Sequence, residues 1–331
     1  MSFIILTILL IATFAAELAL GSVSIPIHRL WEALIAPQEA DTVSKILWTF
    51  RIPKACAALL AGVALSVCGV QMQTLFRNPL ADPYILGISS GAGLGVALFV
   101  MGFSTGLTLT LLFDLGIVFA AFCGALVVSF LMIWAAKRVE STLSLIILGI
   151  MIGSVGSAFI SLLQYFSSAS ELKMYVMWTM GSFSNVTGVN LWIMAVLVVA
   201  GIVISILNIK ELNVILMGEG YAKSLGINLV SLKRRLFVST ALLAGSITAF
   251  CGPIGFIGIA VPHLARMIFK NANHKVLIPS SALLGAVTML LADLISQLPG
   301  SGSILPINTV TALIGIPVII VIILQNRGHE Q

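Results

Sequence analysis

"ALLAGSITAFCGPIGFIGIAVPHLAR", residues 241–266, lies inside a long, mostly apolar run from Leu236 to Phe269. The run is too long for one ordinary membrane-crossing helix, and Gly252-Pro253 stands in its middle. Proline lacks the N–H that continues a helix, and its ring collides with the carbonyl four residues back. The stretch therefore predicts two helices joined by a turn. The direction in which every later segment runs depends on that choice.

The rest of the chain shows why the choice matters. Of 331 residues, 59% are hydrophobic and 9% are charged, with a mean hydropathy of +1.14. A soluble domain carries about 25% charged residues. No soluble core conceals this much apolar surface, so the class is a polytopic, all-α membrane protein. The net charge of +5 is dispersed between apolar runs rather than gathered on one face, which excludes a nucleic-acid-binding surface. Cys56, Cys68, Cys123 and Cys251 sit inside apolar segments without metal-ligand spacing and read as small buried hydrophobes. Met1 to Leu20 lacks the basic start of a signal peptide and reads as a retained first span.

A helix needs about 20 apolar residues to cross the hydrocarbon. Runs of that kind cover 3–22, 55–76, 84–101, 107–136, 143–166, 189–209, 276–298 and 305–324. With Leu236–Phe269 as two helices there are ten spans and both termini are cytoplasmic. The inside then holds Arg77, Lys137, Arg138, Lys210, Lys223, Lys233, Arg234, Arg235, Arg266, Lys270, Lys275 and Arg327, against Arg29, Lys45, Arg51, Lys54 and Lys173 outside, 12 to 5. With one helix, Arg266, Lys270, Lys275 and Arg327 change sides and the bias vanishes, 8 to 9. Positive charge collects in cytoplasmic loops, so ten spans are expected.

Residues 58–69, "ALLAGVALSVCG", match residues 241–252, "ALLAGSITAFCG", in Ala-Leu-Leu-Ala-Gly and the closing Cys-Gly. The two copies run in opposite directions across the membrane in this topology, as an inverted repeat requires. The repeats are placed at about 51–166 and 236–324 of a single transmembrane domain, 1–331, with a cytoplasmic loop at 210–235 between them. Each copy is expected to end at a break. The first leads to Arg77-Asn78-Pro79 and Asp82-Pro83 on the cytoplasmic face, the second to Gly252-Pro253 and Pro262-His263 on the external face. In the loop, a short helix is expected from near Gly218 to a left-handed stop at Gly226. Ala222, Leu225 and Ile227 would form its apolar stripe, and Lys233-Arg234-Arg235 behind it reads as an orientation signal.

Six separated stretches then carry a resemblance: "RIPK" (51–54), "RNPLADPYILGISSGAG" (77–93), "GEGYAKSLGINLVSLKRR" (218–235), "GPIGFIGIAVPHLAR" (252–266), "LADL" (291–294) and "LPINTVTALIGIPV" (305–318). Over nearly its whole length the chain resembles the FecCD-type permease subunits of type II ABC importers, which take up iron-siderophores, haem or cobalamin. The resemblance implies a homodimer with a pathway between two copies of the chain, two cytoplasmic ATP-binding subunits and an external substrate-binding protein. ATP and Mg would be bound by the ATPase subunit, with no cofactor or metal in this chain and no nucleic-acid partner. It also implies a multi-pass protein of the bacterial cytoplasmic (inner) membrane.

Residue by residue, the resemblance makes Gly218, Glu219, Ala222, Leu225 and Gly226 the ATPase-coupling helix. Arg51 and Lys54 become docking cations for the binding protein, with snorkelling at a helix end as the alternative. The family carries a further arginine where this chain has Gln297, a departure that weakens the docking patch. Ser141, Thr142 and Leu143 would lie at the inner gate, or serve simply as a helix N-cap.

Glu17, Asp114 and Asp293 fall near outer span ends, where water is expected to reach them. His263 reads as a hydrogen-bonded packing residue rather than a haem ligand, and Met174, Met177 and Met180 as packing on one helical face. Walker-type phosphate loops and hydrolase motifs are absent, so the chain is not expected to be an enzyme. Two rival classes remain, an ion-coupled secondary transporter and an intramembrane enzyme. The spans offer neither an acidic pair at the midplane nor a nucleophile with its base. The expected cargo is an iron chelate, a ferric siderophore or haem, with cobalamin as the alternative.

Overall fold

The computed structural model describes residues 2–21, 25–37, 41–102, 110–139, 141–297 and 304–326, with side chains omitted at 110–114, 322, 323, 325 and 326. The start of the fourth apolar run, the Asp114 side chain, Arg327 and the extreme termini thus lie outside the described residues.

Every described element is helical. The chain opens with α1 (Ser2–Ala19) and the short α2 (Ile27–Ile35). A continuous rod follows, made of α3 (Thr42–Ile46), a π-helical turn at Leu47–Arg51 and α4 (Ile52–Leu75). Then come α5 (Ile88–Ala97), α6 (Thr110–Ala135), α7 (Thr142–Phe166), α8 (Ala169–Thr179) and α9 (Gly188–Leu207). Two short helices, α10 (Ile209–Ile215) and α11 (Glu219–Ser224), precede α12 (Leu229–Thr240), which passes through a π-helical turn into α13 (Ser246–Cys251). The chain closes with α14 (Ile257–Phe269), α15 (His274–Ser296) and α16 (Ile307–Asn326). Among the described residues, six helices are long and apolar enough to cross a membrane, and Ile88–Gly102, Ile257–Phe269 and Ile307–Val321 are shorter apolar helices.

The centre is α4. Its rod is 78% buried over its apolar window, against 17% for α1 and for α7, so α1 and α7 present their apolar side chains outward. Small residues let other backbones approach α4 closely. A Cβ on Gly62 would lie 2.1 Å from the Gly285 carbonyl oxygen of α15, and one on Gly69 would lie 1.9 Å from the Gly258 carbonyl oxygen of α14. Near its C-terminus α4 switches to buried polar residues. Gln71 donates to the hydroxyls of Ser205 and Ser239, Thr74 meets His274 Nε2 at 2.8 Å, and Gln73 Nε2 reaches the carbonyls of Gly258 (3.2 Å) and Ile259 (3.1 Å).

The Gln73 bonds have a local cause. Pro262 lies inside α14 and offers no N–H to the carbonyl of Gly258, which would be orphaned in an apolar surrounding. Gln73 supplies the missing donor, while its Oε1 accepts from Arg266 Nη2 at 2.6 Å. Pro262-His263 is therefore not a turn, as expected from the sequence, but the middle of a helix. His263 is half-buried, and no hydrogen bond of its ring is found among the described residues.

The helix does stop at Gly252, which adopts φ 78°. A Cβ there would fall 2.4 Å from the Trp178 carbonyl oxygen, so glycine is required twice over. This break, expected to lead onto the external face, is packed within the protein. Gly252 and Ile254 are buried, and its polar groups are met by the protein: Ser182 N–H donates to the Cys251 carbonyl (2.8 Å), Ile254 N–H to Tyr84 Oη (3.4 Å), Gly255 N–H to Asn308 Oδ1 (3.1 Å). Irregular backbone in a membrane protein survives where protein buries and satisfies it.

The two repeat copies also differ. The second ends at this break, whereas α4 runs through Gly69 to Leu75. Its end is a Schellman-type cap, with Asn78 N–H to the Gln73 carbonyl (3.1 Å) and Arg77 N–H to Thr74 (3.2 Å), Arg77 taking φ 47°. Pro79 follows, then Asp82, whose Oδ1 accepts from Tyr84 N–H at 2.8 Å and starts a 3-10 turn at Pro83–Leu86. Pro83 packs on Gly258, where a Cβ would sit 2.5 Å from its Cδ. The motifs at 77–93 and 252–266, expected on opposite faces, are thus in direct contact.

Candidate functional site

The predicted coupling helix is present as α11, with Ala222 buried and Gly226 at φ 81°. Ile227 N–H donates to the Ala222 carbonyl (3.0 Å) and Gly226 N–H to that of Lys223 (3.0 Å), the paired bonds of a Schellman stop. The expected apolar stripe is divided. Ala222 and Ile227 turn inward to the core, while Leu225 is 56% exposed beside Met217 (70%) and Tyr221 (50%). Leu225 also borders a groove with Ile206, Leu207, Ile209 and Val214, so the exposed surface here is a contiguous apolar one, of the kind that marks a contact with another protein or with lipid.

Glu219, the first residue of α11, joins three helices. Its Oε1 accepts from Thr142 Oγ1 at 2.6 Å and lies 3.3 Å from Lys233 Nζ, which itself reaches Thr142 Oγ1 at 3.4 Å. Lys233 is not merely an orientation signal: its side chain is 4% exposed, and a buried ammonium requires a counter-charge. Arg235 pairs with Glu211 at 3.0 Å, and Arg234 is exposed. At the start of α7, Ser141 is the N-cap, accepting from Ser144 N–H at 3.4 Å, and Leu143 is 65% exposed.

A second charged group joins α1, α4 and α15. Lys54 Nζ lies 2.8 Å from Asp293 Oδ2 and 3.6 Å from Glu17 Oε1, while Gln297 Nε2 donates to Glu17 Oε1 at 2.5 Å. Arg51 Nη1 donates to the carbonyls of Leu18 (2.6 Å) and Ala19 (3.1 Å), closing the C-terminus of α1 whose carbonyls lack helical partners. Water does not reach the acids as expected: Glu17 is 3% exposed and Asp293 2%, because a shared lysine makes their burial tolerable. A docking role for Lys54 would require exchanging these partners for those of another protein.

The described face of α7 borders a cavity of about 450 Å³ lined by Tyr84, Gly87, Ser90, Gly153, Ser154 and Ser157 among others. Met177 and Met180 of the methionine series are exposed, and Met174 packs partly on the core. Cys68 and Cys251 are buried, Cys56 and Cys123 half-buried, and all four are free thiols. Among the described residues, no three His, Cys, Asp or Glu side chains come together as metal ligands do.

Sequence reasoning missed both charged groups. Their partners are 77 residues apart for Thr142 and Glu219, and 280 for Glu17 and Gln297. The one available signal was energetic: a lysine near an apolar helix implies a nearby acid.

Comparison with known proteins agrees with this architecture. The vitamin B12 import system permease protein BtuC of Klebsiella pneumoniae is 36% identical over 327 residues, covering 98% of this chain and 93% of the relative. BtuC of Citrobacter koseri is 36% identical over 288 residues, 85% of this chain and 83% of the relative. A solved structure described as a metal-chelate type ABC transporter in an inward-facing conformation superposes with a TM-score of 0.83 at 31% identity, covering 97% of both chains. PsaBC from Streptococcus pneumoniae shares the fold at a TM-score of 0.54 and 16% identity, covering 88% of this chain and 94% of that one. The FecCD transport family matches residues 8–325, and the chain belongs to that family: it is an ABC importer permease, a multi-pass membrane protein built for transport.

Proposed function

We propose that this permease carries a cobalamin-class corrinoid inward across the bacterial cytoplasmic membrane, driven by ATP hydrolysed on separate subunits. The observation that carries the cargo is the agreement of relatives at 36–37% identity over 85–98% of the chain, which are vitamin B12 import permeases. This reverses the order expected from the sequence, where an iron chelate stood first. The iron-chelate reading stays as the second, supported by the metal-chelate type neighbour.

In this reading the chain crosses the membrane ten times, with both termini cytoplasmic and two repeats forming a single domain. The crossings are α1, the α3–α4 rod, α5, α6, α7, α9, α12–α13, α14, α15 and α16. At 13 residues, α14 spans about 20 Å of a hydrocarbon core about 30 Å thick, and the buried turn before it completes the passage. Two copies enclose a pathway beside α7, two ATPase subunits seat on the 218–228 element, and an external binding protein delivers the cargo. The exposed trio Met217, Tyr221 and Leu225 supports the ATPase contact.

Leu225→Asp tests it. An unpaired charge in an apolar contact costs several kcal/mol, so the ATPase should no longer co-purify from native membranes, while the exposed position leaves insertion of the permease intact. Normal co-purification would refute the coupling role.

A further inference from the structure

Resting on residues 218–228 as the ATPase-coupling element, we infer that Glu219 is the positioning residue that passes movement of α11 to the start of α7. Thr142 receives it and Lys233 serves as its anchor. Oε1 of Glu219 holds Thr142 Oγ1 at 2.6 Å and Lys233 Nζ at 3.3 Å, and the triangle closes through Lys233 Nζ and Thr142 Oγ1 at 3.4 Å. Each corner stands on a different helix: Thr142 is the first residue of α7, Glu219 the first of α11, and Lys233 lies in α12.

The chemistry of the corners makes this a stiff joint. Lys233 is 4% exposed, so drawing the Glu219 carboxylate away from its ammonium costs free energy that an exposed pair would not. Displacement of α11 therefore pulls on both Glu219 contacts at once, the 2.6 Å bond from Thr142 and the 3.3 Å pair with Lys233, and the start of α7 is drawn with it. The Thr142 hydroxyl, bonded to an ionised acceptor, is held by the stronger kind of hydrogen bond. Ser141 and Leu143, exposed on either side of Thr142, are carried with it. Lys233 leads through α12 and α13 to the buried turn after Cys251, whose Ile254 and Gly255 N–H groups are held by Tyr84 and Asn308.

The test uses the complete transporter in proteoliposomes, loaded with cyanocobalamin and with a ferric siderophore in parallel, and reads cargo moved per ATP hydrolysed. Thr142→Val removes the hydroxyl at nearly constant shape and leaves the Lys233–Glu219 pair in place. Loss of a hydrogen bond to a charged group should lower the ratio about tenfold, with the ATPase still co-purifying, and Thr142→Ser should restore it. If Thr142→Val does not insert, Thr142→Ala carries the same expectation, since it too removes the hydroxyl and leaves the Lys233–Glu219 pair in place. A wild-type ratio in Thr142→Val, or no recovery in Thr142→Ser, overturns the inference. Failure of the underlying coupling assignment is read separately, by normal ATPase co-purification with Leu225→Asp.

Discussion

Gly69→Ala puts a methyl group into the tightest seam of the molecule. The new Cβ would stand 1.9 Å from the Gly258 carbonyl oxygen and 2.8 Å from its Cα. Both are backbone atoms, so no side chain can swing aside. To reach ordinary contact at 3.4 Å, α4 and α14 must part by about 1.5 Å. Gln73 is one turn further along α4, and its bonds to the Gly258 and Ile259 carbonyls, 3.2 and 3.1 Å, are lost at that separation. Ile259 retains a possible donor in the N–H of His263. Gly258 does not, because its helical partner is Pro262.

The cost is overpacking, about 1–3 kcal/mol, plus an orphaned buried carbonyl, about 1–3 kcal/mol, so roughly 2–6 kcal/mol in all. SDS-driven unfolding of the purified permease, followed by tryptophan fluorescence, measures it. Gly220→Ala is the control, since a Cβ there meets nothing within 4 Å; it should be neutral or stabilising by up to about 1 kcal/mol. An unfolding free energy for Gly69→Ala within about 0.5 kcal/mol of the parent would refute the seam, because surface substitutions fall in that range.

Two further outcomes follow from the charge placement. Lys54→Met leaves Glu17 and Asp293 buried without their cation and should cost about 3–5 kcal/mol in the same assay, most of it recovered when Glu17→Gln and Asp293→Asn are added; full stability of Lys54→Met alone would contradict the ion group. In a background without the four native cysteines, single cysteines at Lys45 and Lys173 should react with an impermeant thiol reagent on spheroplasts. Cysteines at Lys223 and Lys275 should react only after the membrane is opened, and labelling of Lys275 from outside would remove the break at Gly252 from the topology.

The readable parts of this fold were those decided by local chemistry. Gly252-Pro253 announces a helix end through backbone sterics alone, and Gly226 a left-handed cap. The apolar runs located most helices because lipid imposes their length. Packing was not readable in the same way. Pro262 carries the same local signal as Pro253, yet it sits within α14 because Gln73, distant in sequence, satisfies the carbonyl it frees. Lys233 stood in a run of three cations whose members have three fates: buried ion pair, exposed charge and half-exposed pair. Their assignment depends on acids that only the folded chain brings near. The division of the coupling stripe has the same origin, since Leu225 turns outward at the Schellman stop, where the helical period ends.

The most direct measurement of the central claim is uptake of radiolabelled cyanocobalamin into proteoliposomes containing this permease with its co-purified ATPase and binding protein. The account predicts accumulation that requires MgATP inside the compartment bearing the 218–228 element, and none with a non-hydrolysable analogue or with the Leu225→Asp permease. Accumulation driven by an ion gradient with the ATPase absent would contradict it.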